Sequence, residues 1–499
     1  MPYTVPHYIA GKLVIESTPK THIIYNPALG EAIGQVHFAS TTTCDNAVAT
    51  AKKAGRTWSH TPATKRAHIL FKFRELLEKN QLDLARMVTR EHGKTIDDAR
   101  GSIARGIEAV EFYCGLITQM EGSVSNNISN HIDCYTFRQP LGVCAGVSPF
   151  NFPVMVPLWM MIPAIACGNT FILKPSEQDP SAPIRLMELL SDAGLPNGVV
   201  NCVQGDKTTV EYLLNHPDIA AFTAVASTAV AKSIYTTATA RGIRAHTFGG
   251  AKNHGVVMPD ADLDQAANAL VGAAFGSAGE RCMAISVVVT VGEQTADNLV
   301  AKLTPLINNM KIDAGDTLGC DMGPLISSAH RLRVLDAIDK GVAEGGKLVI
   351  DGRHFKHPNH PLGYFIGPSL FDNVTESMSI YQQEIFGPVL VIVRVADFEQ
   401  ALALVNRHQY GNGTAIFTRD GYTAREYAQQ VQVGMVGINI PIPVPIASHP
   451  FGGWKNSSFG DTNMHGKESF NFYTRRKTIT SKWLETESNE KTFSMPTHK

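Results

Sequence analysis

Leu141-Gly142-Val143-Cys144-Ala145-Gly146-Val147 opens the stretch that decides the fold of this 499-residue chain. It is a short, continuous apolar run bounded by a turn, the pattern of a strand buried on both faces. A helical stretch at about 155–167 follows, and then a second apolar run, Thr170-Phe171-Ile172-Leu173-Lys174. The alternation continues with a helix at about 181–193 ended by Gly194, a strand at 199–203 and a helix near 207–215. A strand near 219–225, a helix near 228–240 and a strand near 243–248 complete it. Strands that alternate with helices require right-handed crossovers and a parallel sheet. Ligands of such sheets bind beyond the carboxyl ends of the strands, where the strand order reverses. Lys174-Pro175-Ser176-Glu177 lies just past one such end.

Outward from this core the texture changes twice. Residues 5–40 hold short apolar runs broken by turn residues, such as Tyr8-Ile9-Ala10-Gly11-Lys12, and read as small strands or hairpins. Residues 43–118 are helical in pattern: Ile69, Leu70, Phe73, Leu76 and Leu77 recur at helical spacing, and Ile103, Ile107 and Val110 continue it. A second alternating region spans about 256–440, with strands expected at 286–291, 348–351, 389–393, 413–418 and 437–439. Residues 465–482, including Ser469-Phe470-Asn471-Phe472-Tyr473-Thr474, read as late strands. No fixed-period repeat or long linker separates the two α/β regions, so they are expected to pack closely.

Composition narrows the function. Hydrophobic content of 44% and charge of 18% are those of a globular protein. A net charge of −1 offers no basic field to nucleic acid or anionic lipid. The cluster Arg475-Arg476-Lys477 reads as a solvated face. The richest apolar stretch, Val154 to Cys167, is interrupted by Pro157 and Pro163 and is too short to span a membrane. Met1-Pro2-Tyr3-Thr4-Val5-Pro6-His7 lacks the pattern of a signal or transit peptide, so a cytoplasmic location is expected. The eight cysteines have no paired short spacing, which argues against a disulfide framework or zinc site and for a reducing compartment.

Three motifs are decoys. Gly341-x4-Gly346-Lys347 imitates a phosphate loop, but Leu348 stands where a hydroxyl must hold magnesium. His354, His357 and His360 lie among prolines without a supporting carboxylate pattern and read as a solvated loop, so no metal is expected. No G-x-G-x-x-G fingerprint occurs, which disfavours the commonest dinucleotide site.

Four segments carry chemistry. Pro149-Phe150-Asn151-Phe152-Pro153 offers an amide donor, Asn151, where negative charge develops; otherwise it is a rigid loop. In Leu173-Lys174-Pro175-Ser176-Glu177 an ammonium and a carboxylate suit ribose hydroxyls or phosphate, unless the segment is only a helix cap. Glu384-Ile385-Phe386-Gly387-Pro388-Val389 sets a carboxylate beside an aromatic in an apolar turn. Phe275-Gly276-Ser277-Ala278-Gly279-Glu280-Arg281-Cys282-Met283 leads a run of small residues to a thiol. The neighbouring Arg281 favours the thiolate; against this, free cysteines are mostly buried small hydrophobes.

Pro149–Pro153, Lys174–Glu177, Gly276–Cys282 and Glu384–Val389, in this order and at these spacings, make the chain resemble the aldehyde dehydrogenase superfamily over nearly its whole length. The resemblance implies an α/β fold with a Rossmann-like NAD domain at 1–119 and 140–250, an α/β catalytic domain at 251–450 and a small β oligomerisation element at 120–139 and 465–485. It implies that NAD binds without the glycine fingerprint, against Val147, Pro149, Phe150, Lys174, Glu177, Ser227, Phe248, Glu384 and Phe386. Cys282 is then the nucleophile, with Asn151 and the Cys282 amide as oxyanion donors.

Members that hydrolyse their acyl intermediate carry a Glu four residues before the Lys of the segment Thr247–His254. Phe248 stands there in this chain, and a phenyl ring takes no proton from water. Gly250–Ala261, Gly279–Ala284, Pro450–Lys455 and Phe472–Arg475 resemble the CoA-acylating methylmalonate-semialdehyde dehydrogenases. That branch implies oxidation of malonate or methylmalonate semialdehyde, loss of carbon dioxide and transfer to CoA as acetyl-CoA or propionyl-CoA, in valine and inositol breakdown. It implies that Arg105 and Arg281 grip the substrate carboxylate, bidentately as a guanidinium can. Homo-oligomers, a tetramer foremost, are expected through the strands near 120–140 and 465–482. One departure stands out: Ala226, in Ala224-Val225-Ala226-Ser227, replaces a family glycine beside the cofactor path, and its bulk is expected to weaken or alter cofactor binding. The rival readings are a hydrolytic aldehyde dehydrogenase and a non-catalytic relative.

Overall fold

In the computed structural model, which describes residues 3–483, the strand Val143–Val147 lies in the middle of an eight-stranded sheet. Thr170–Lys174 flanks it on one side and Ile219–Val225 on the other, both parallel to it. All five residues of Val143–Val147 and of Thr170–Lys174 are buried, as a sheet covered on both faces requires. Arg244–Phe248 and Val200–Cys202 extend the parallel core outward. Antiparallel strands finish both edges: Ser458–Phe459 at one, His7–Ile9 and Lys12–Val14 at the other. The first two crossovers run from Val143–Val147 through Thr170–Lys174 to Val200–Cys202 on one side, and the next reaches Ile219–Val225 on the opposite side. The order therefore reverses between Val143–Val147 and Ile219–Val225, and a crevice opens at their carboxyl ends.

The crossover helix Met155–Ala166 has twelve residues and every one is buried. A helix apolar on all sides belongs inside a protein, and it packs against Ile96–Cys114. Its last carbonyls do not go unpaired: Trp58 Nε1 donates to Ile165 O at 3.1 Å and Arg66 Nε to Ala166 O at 3.0 Å.

A second, seven-stranded sheet runs in the order Lys347–Ile350, Ser369–Asp372, Val389–Val395, Ile285–Val291, Asn253–Val257, Gly413–Phe417, Met435–Ile438. It is parallel except for the pairing of Lys347–Ile350 with Ser369–Asp372. The chain passes from the first sheet to the second in four residues, since one strand ends at Phe248 and the next begins at Asn253. The carboxyl ends of the first sheet thus face the amino ends of the second.

Thr474–Lys482, Ile132–Pro140 and Val124–Ser129 form a separate antiparallel sheet, paired from Thr474 with Pro140 to Lys482 with Ile132. Arg475, Arg476 and Lys477 are exposed on it. The expectation of strand over 469–474 is corrected: Gly466–Tyr473 is a helix. Gly466, Ser469, Phe470 and Tyr473 are buried at helical spacing, and the Phe470-Asn471-Phe472 alternation only imitates a strand. Residues 484–485 of the expected oligomerisation element lie outside the described residues. Among the described residues no helix is long and apolar enough to cross a membrane.

Candidate active site

At the reversal of strand order the crevice is a cavity of about 380 Å³. Val147 and Val225, at two strand ends, lie in its wall, with Ser148, Pro149, Phe150 and Asn151 following the first. Lys174, Ser176 and Glu177 come from the next strand end, and Ala226 and Ser227 from the start of the helix Thr228–Ala240. The second sheet's side supplies Cys282, Glu384, Ile385 and Phe386, and Gly249 and Gly250 lie on the connection between sheets. The four segments singled out in the sequence thus meet at one place, Asn151, Lys174, Cys282 and Glu384 all lying in one wall.

Cys282 sits on the turn before the strand Ile285–Val291. The turn is tight: Ser277, Ala278 and Gly279 all have left-handed backbone, with φ of 55°, 51° and 74°. For Ser and Ala this costs roughly 1–2 kcal/mol each, strain of the kind stored at functional sites. At Gly279 a Cβ would lie 2.3 Å from Gly387 O, so the turn is pressed against the Phe386 segment. Phe386 itself has φ 58°. The main chain of the cysteine is pinned from behind, because Asn253 Nδ2 and Asn412 Nδ2 both donate to Cys282 O, at 2.9 and 3.0 Å.

Burial, and then the nearby carboxylate of Glu384, push the Cys282 thiol up to about 12. The amides of Cys282 and Met283 and the ammonium of Lys94 act in the opposite direction. The guanidinium of Arg281, expected beside the thiolate, is paired with Asp98. Lys94, whose ammonium lies near enough to act on the thiol, is a cation no sequence pattern singled out.

Asn151 is buried, and its Nδ2 donates to Glu280 O at 3.0 Å. An amide nitrogen carries two hydrogens, so one fixes the side chain and the other is free for an oxyanion. Lys174 Nζ lies 2.8 Å from Glu177 Oε2. Burial raises Glu177, but the charge and hydrogen bond of Lys174 outweigh it and hold the carboxyl low. Glu384 Oε1 accepts from the Ala251 amide at 2.9 Å, and burial raises this carboxyl to about 7. Its neighbour Lys252 donates to Ile380 O and Gln383 O, each at 2.8 Å, and burial lowers it to about 7. A Cβ on Gly250 would meet Glu384 Oε2 at 2.3 Å, so only glycine admits the carboxylate so close to the main chain.

Three expected residues lie elsewhere. Phe248 does not line the cavity. Its ring joins the buried apolar cluster, 5.3 Å from His246 and 6.5 Å from Phe451, and the wall at this point is made by Gly249 and Gly250. Arg281 lies beside Cys282 in a small adjoining void of about 20 Å³. Arg105 is tied to Glu108 at 2.6 Å and to Val444 O and Pro445 O at 2.7 and 3.2 Å, outside the cavity wall. Conversely, His330 and Arg333 line the cavity, with Arg333 Nη2 3.0 Å from His330 Nδ1 and His330 Nε2 2.7 Å from Phe386 O. Ser327-Ser328-Ala329-His330-Arg331-Leu332-Arg333 resembles any helix start, so nothing in it marked them.

The histidine loop also needs correction. His357 is buried rather than solvated, with its ring 4.7 Å from those of His360 and Phe365. Asp313, His357 and His360 are, among the described residues, the one group spaced for a metal ion. The amides of Asn359 and His360 donate to His357 Nδ1. Nε2 therefore carries the proton, facing Asp313 Oδ1 at 3.1 Å, and is not free as a ligand.

Comparison with known proteins places this geometry. The profile of the aldehyde dehydrogenase family matches residues 14–479. The chain is 52% identical over 487 residues to a malonate-semialdehyde dehydrogenase of Pseudomonas aeruginosa, covering 98% of each chain. It is 44% identical over 482 residues to the human acylating methylmalonate-semialdehyde/malonate-semialdehyde dehydrogenase, a mitochondrial protein, covering 97% of this chain and 90% of that one. A Sinorhizobium meliloti protein described as a methylmalonate-semialdehyde dehydrogenase, solved with NAD, superposes with a TM-score of 0.97 at 53% identity, covering 97% of this chain and 99% of its own.

Proposed function

The chain belongs to the aldehyde dehydrogenase family, and from that premise we propose that it oxidises malonate or methylmalonate semialdehyde and passes the shortened acyl group to CoA. The observation that carries this reading is the pairing of Cys282 and Asn151 in one cleft, with Phe248 at the sequence position of the hydrolytic members' Glu and its ring turned into the apolar cluster, so that no carboxylate reaches the cleft from there.

The cleft fits NAD. Lys174 and Glu177 suit ribose hydroxyls, and Ser227 opens a thirteen-residue helix whose N-terminus favours phosphate. Gly250 leaves the space that Glu384 and a ligand share. When bound, NAD supplies the acceptor for the hydride. The NAD domain is assigned to 1–119 and 140–250, the catalytic domain to 251–450, and the oligomerisation element to 120–139 and 465–485, whose strand is Thr474–Lys482 and whose first part is the helix Gly466–Tyr473.

The sulfur of Cys282, once deprotonated, adds to the aldehyde carbon. The second Asn151 hydrogen and the Cys282 amide hold the oxygen that becomes negative. Loss of hydride leaves a thioester on Cys282. The substrate's carboxylate is then β to the thioester carbonyl and leaves as carbon dioxide; the electron pair passes into the carbonyl, and a proton returns to carbon. Arg281, beside Cys282, is assigned to the acid end; Arg105 is held by Glu108, Val444 O and Pro445 O and has to leave these partners to join it. Phe248 activates no water, so the acyl group waits for a thiol, which is nucleophilic near neutral pH without a strong base. CoA thiol takes it and Cys282 is restored.

A cytoplasmic location agrees with eight free thiols, and a homotetramer with the exposed apolar side chains of the separate sheet. Stopped-flow tests the chemistry. Malonate semialdehyde gives an NADH burst followed by slow turnover, and CoA accelerates the slow phase. Turnover indifferent to CoA overturns the acylating reading, and an NADH burst from Cys282→Ala overturns the nucleophile.

A further inference from the structure

Lys94 follows the helix Gln81–His92 by two residues and is only 1% exposed. A buried ammonium is tolerated only where fixed partners surround it. Its Nζ donates to the main-chain oxygen of Asn151 at 2.7 Å, lies 4.4 Å from the centre of the Phe152 ring, and is 3.2 Å from Asp98 Oδ2. Two of these three contacts hold the loop that carries the oxyanion amide. Asp98 lies in the first turn of the helix Ile96–Cys114, where the helix end favours a carboxylate. Its other oxygen, Oδ1, receives Arg281 Nη2. Neither Lys94 nor Asp98 lines the cleft.

We propose that Lys94 and Asp98 are positioning residues, a buried ion pair that sets the Asn151 loop at one end and aims Arg281 at the other. The connection runs from Asn151 O through Lys94 and Asp98 to Arg281, the residue before the nucleophile. Arg281 has five N–H donors in a fixed fork. Asp98 engages Nη2 and Gly272 O lies 3.5 Å from Nη1, which leaves further N–H donors of the fork for a ligand's carboxylate. Oxyanion geometry and selection of the acid end are thereby set by one carboxylate. This rests on the reading of Cys282 and Asn151 given above.

The test compares Lys94→Met, Lys94→Arg and Asp98→Asn in the full-length enzyme, using malonate semialdehyde and the uncharged propanal, in NADH burst and steady-state assays. Asp98→Asn raises KM for malonate semialdehyde about tenfold more than KM for propanal, the size of one lost charged hydrogen bond. Lys94→Met slows the burst with both aldehydes on the order of 100-fold, as displacement of an oxyanion donor does, while NAD titration by fluorescence quenching is within twofold of wild type. Lys94→Arg recovers part of the burst. If Lys94→Met does not fold, Lys94→Arg and Asp98→Asn decide: a wild-type burst in the first and equal KM changes for both aldehydes in the second overturn the proposal. A wild-type enzyme without a burst on either aldehyde, or an active Cys282→Ala, overturns the functional reading and this proposal with it.

Discussion

At the scale of single residues, the proposed NAD contact turns on Gly250 and Glu384. Gly250→Ala forces a Cβ to within 2.3 Å of Glu384 Oε2. The carboxylate has to move, and KM for NAD is expected to rise by about tenfold or more with a smaller change in kcat, the loss of one charged hydrogen bond. Steady-state kinetics with NAD varied checks this. Glu384 is also the pH-sensitive group. Burial raises it to about 7, and Lys252, lowered to about 7, titrates beside it, so the two respond to pH as a pair. In the proposed NAD site ribose hydroxyls donate to the ionised carboxylate, so NAD affinity is expected to be full above this range and to be lost as pH falls through it, by about tenfold per unit. Calorimetric titrations from pH 5.5 to 8.5 follow the loss, and Glu384→Gln flattens the profile. The sequence announced Cys282, Asn151, Lys174 and Glu384 because each sits in a short segment of unusual composition. It did not announce Lys94, His330 or Arg333, ordinary helix-end residues that the fold alone brings to the cleft wall or behind the Asn151 loop.

Among elements, the helix Ile96–Cys114 links the surface to the chemistry. Thr95 caps it, its side chain accepting from the Asp98 amide at 3.1 Å. Thr95→Ala is expected to cost about 1 kcal/mol of stability, seen in urea denaturation, and to slow the NADH burst as Asp98 loosens. Alternating strands and helices from Val143 to Phe248 were legible because each short apolar run is bounded by turn residues. Gly466–Tyr473 was not legible: eight residues give barely two turns of periodicity, and the aromatic pair Phe470 and Phe472 fits a period of two as well as burial from two sides. Phe248 shows the same limit at its finest grain. The spacing to Lys252 located it, but spacing alone did not tell whether its ring faced the cavity or the apolar cluster.

Across the whole molecule, the separate sheet carries Val124, 77% exposed, and Tyr135, 37% exposed, beside the strand that ends near Trp483. Large apolar side chains standing in water on one sheet support the proposed subunit contact there. Val124→Asp leaves the monomer's interior untouched and is expected to shift light-scattering mass toward smaller species at micromolar concentration. The two larger sheets were foreseen as close neighbours; how they are joined was not, since four residues of loop look alike whether slack or taut. Here they are taut. Gly249 N donates to Ser457 O, Gly250 N to Thr228 Oγ1 and Ala251 N to Glu384 Oε1, each at 2.9 Å, while the Lys252 ammonium grips two carbonyls. A door hung on such a strap swings only by breaking these bonds. NADH and CoA are therefore expected to come and go by side-chain movement at a fixed threshold, through local rearrangement of Glu384 and Phe386 rather than by opening of one half of the molecule against the other.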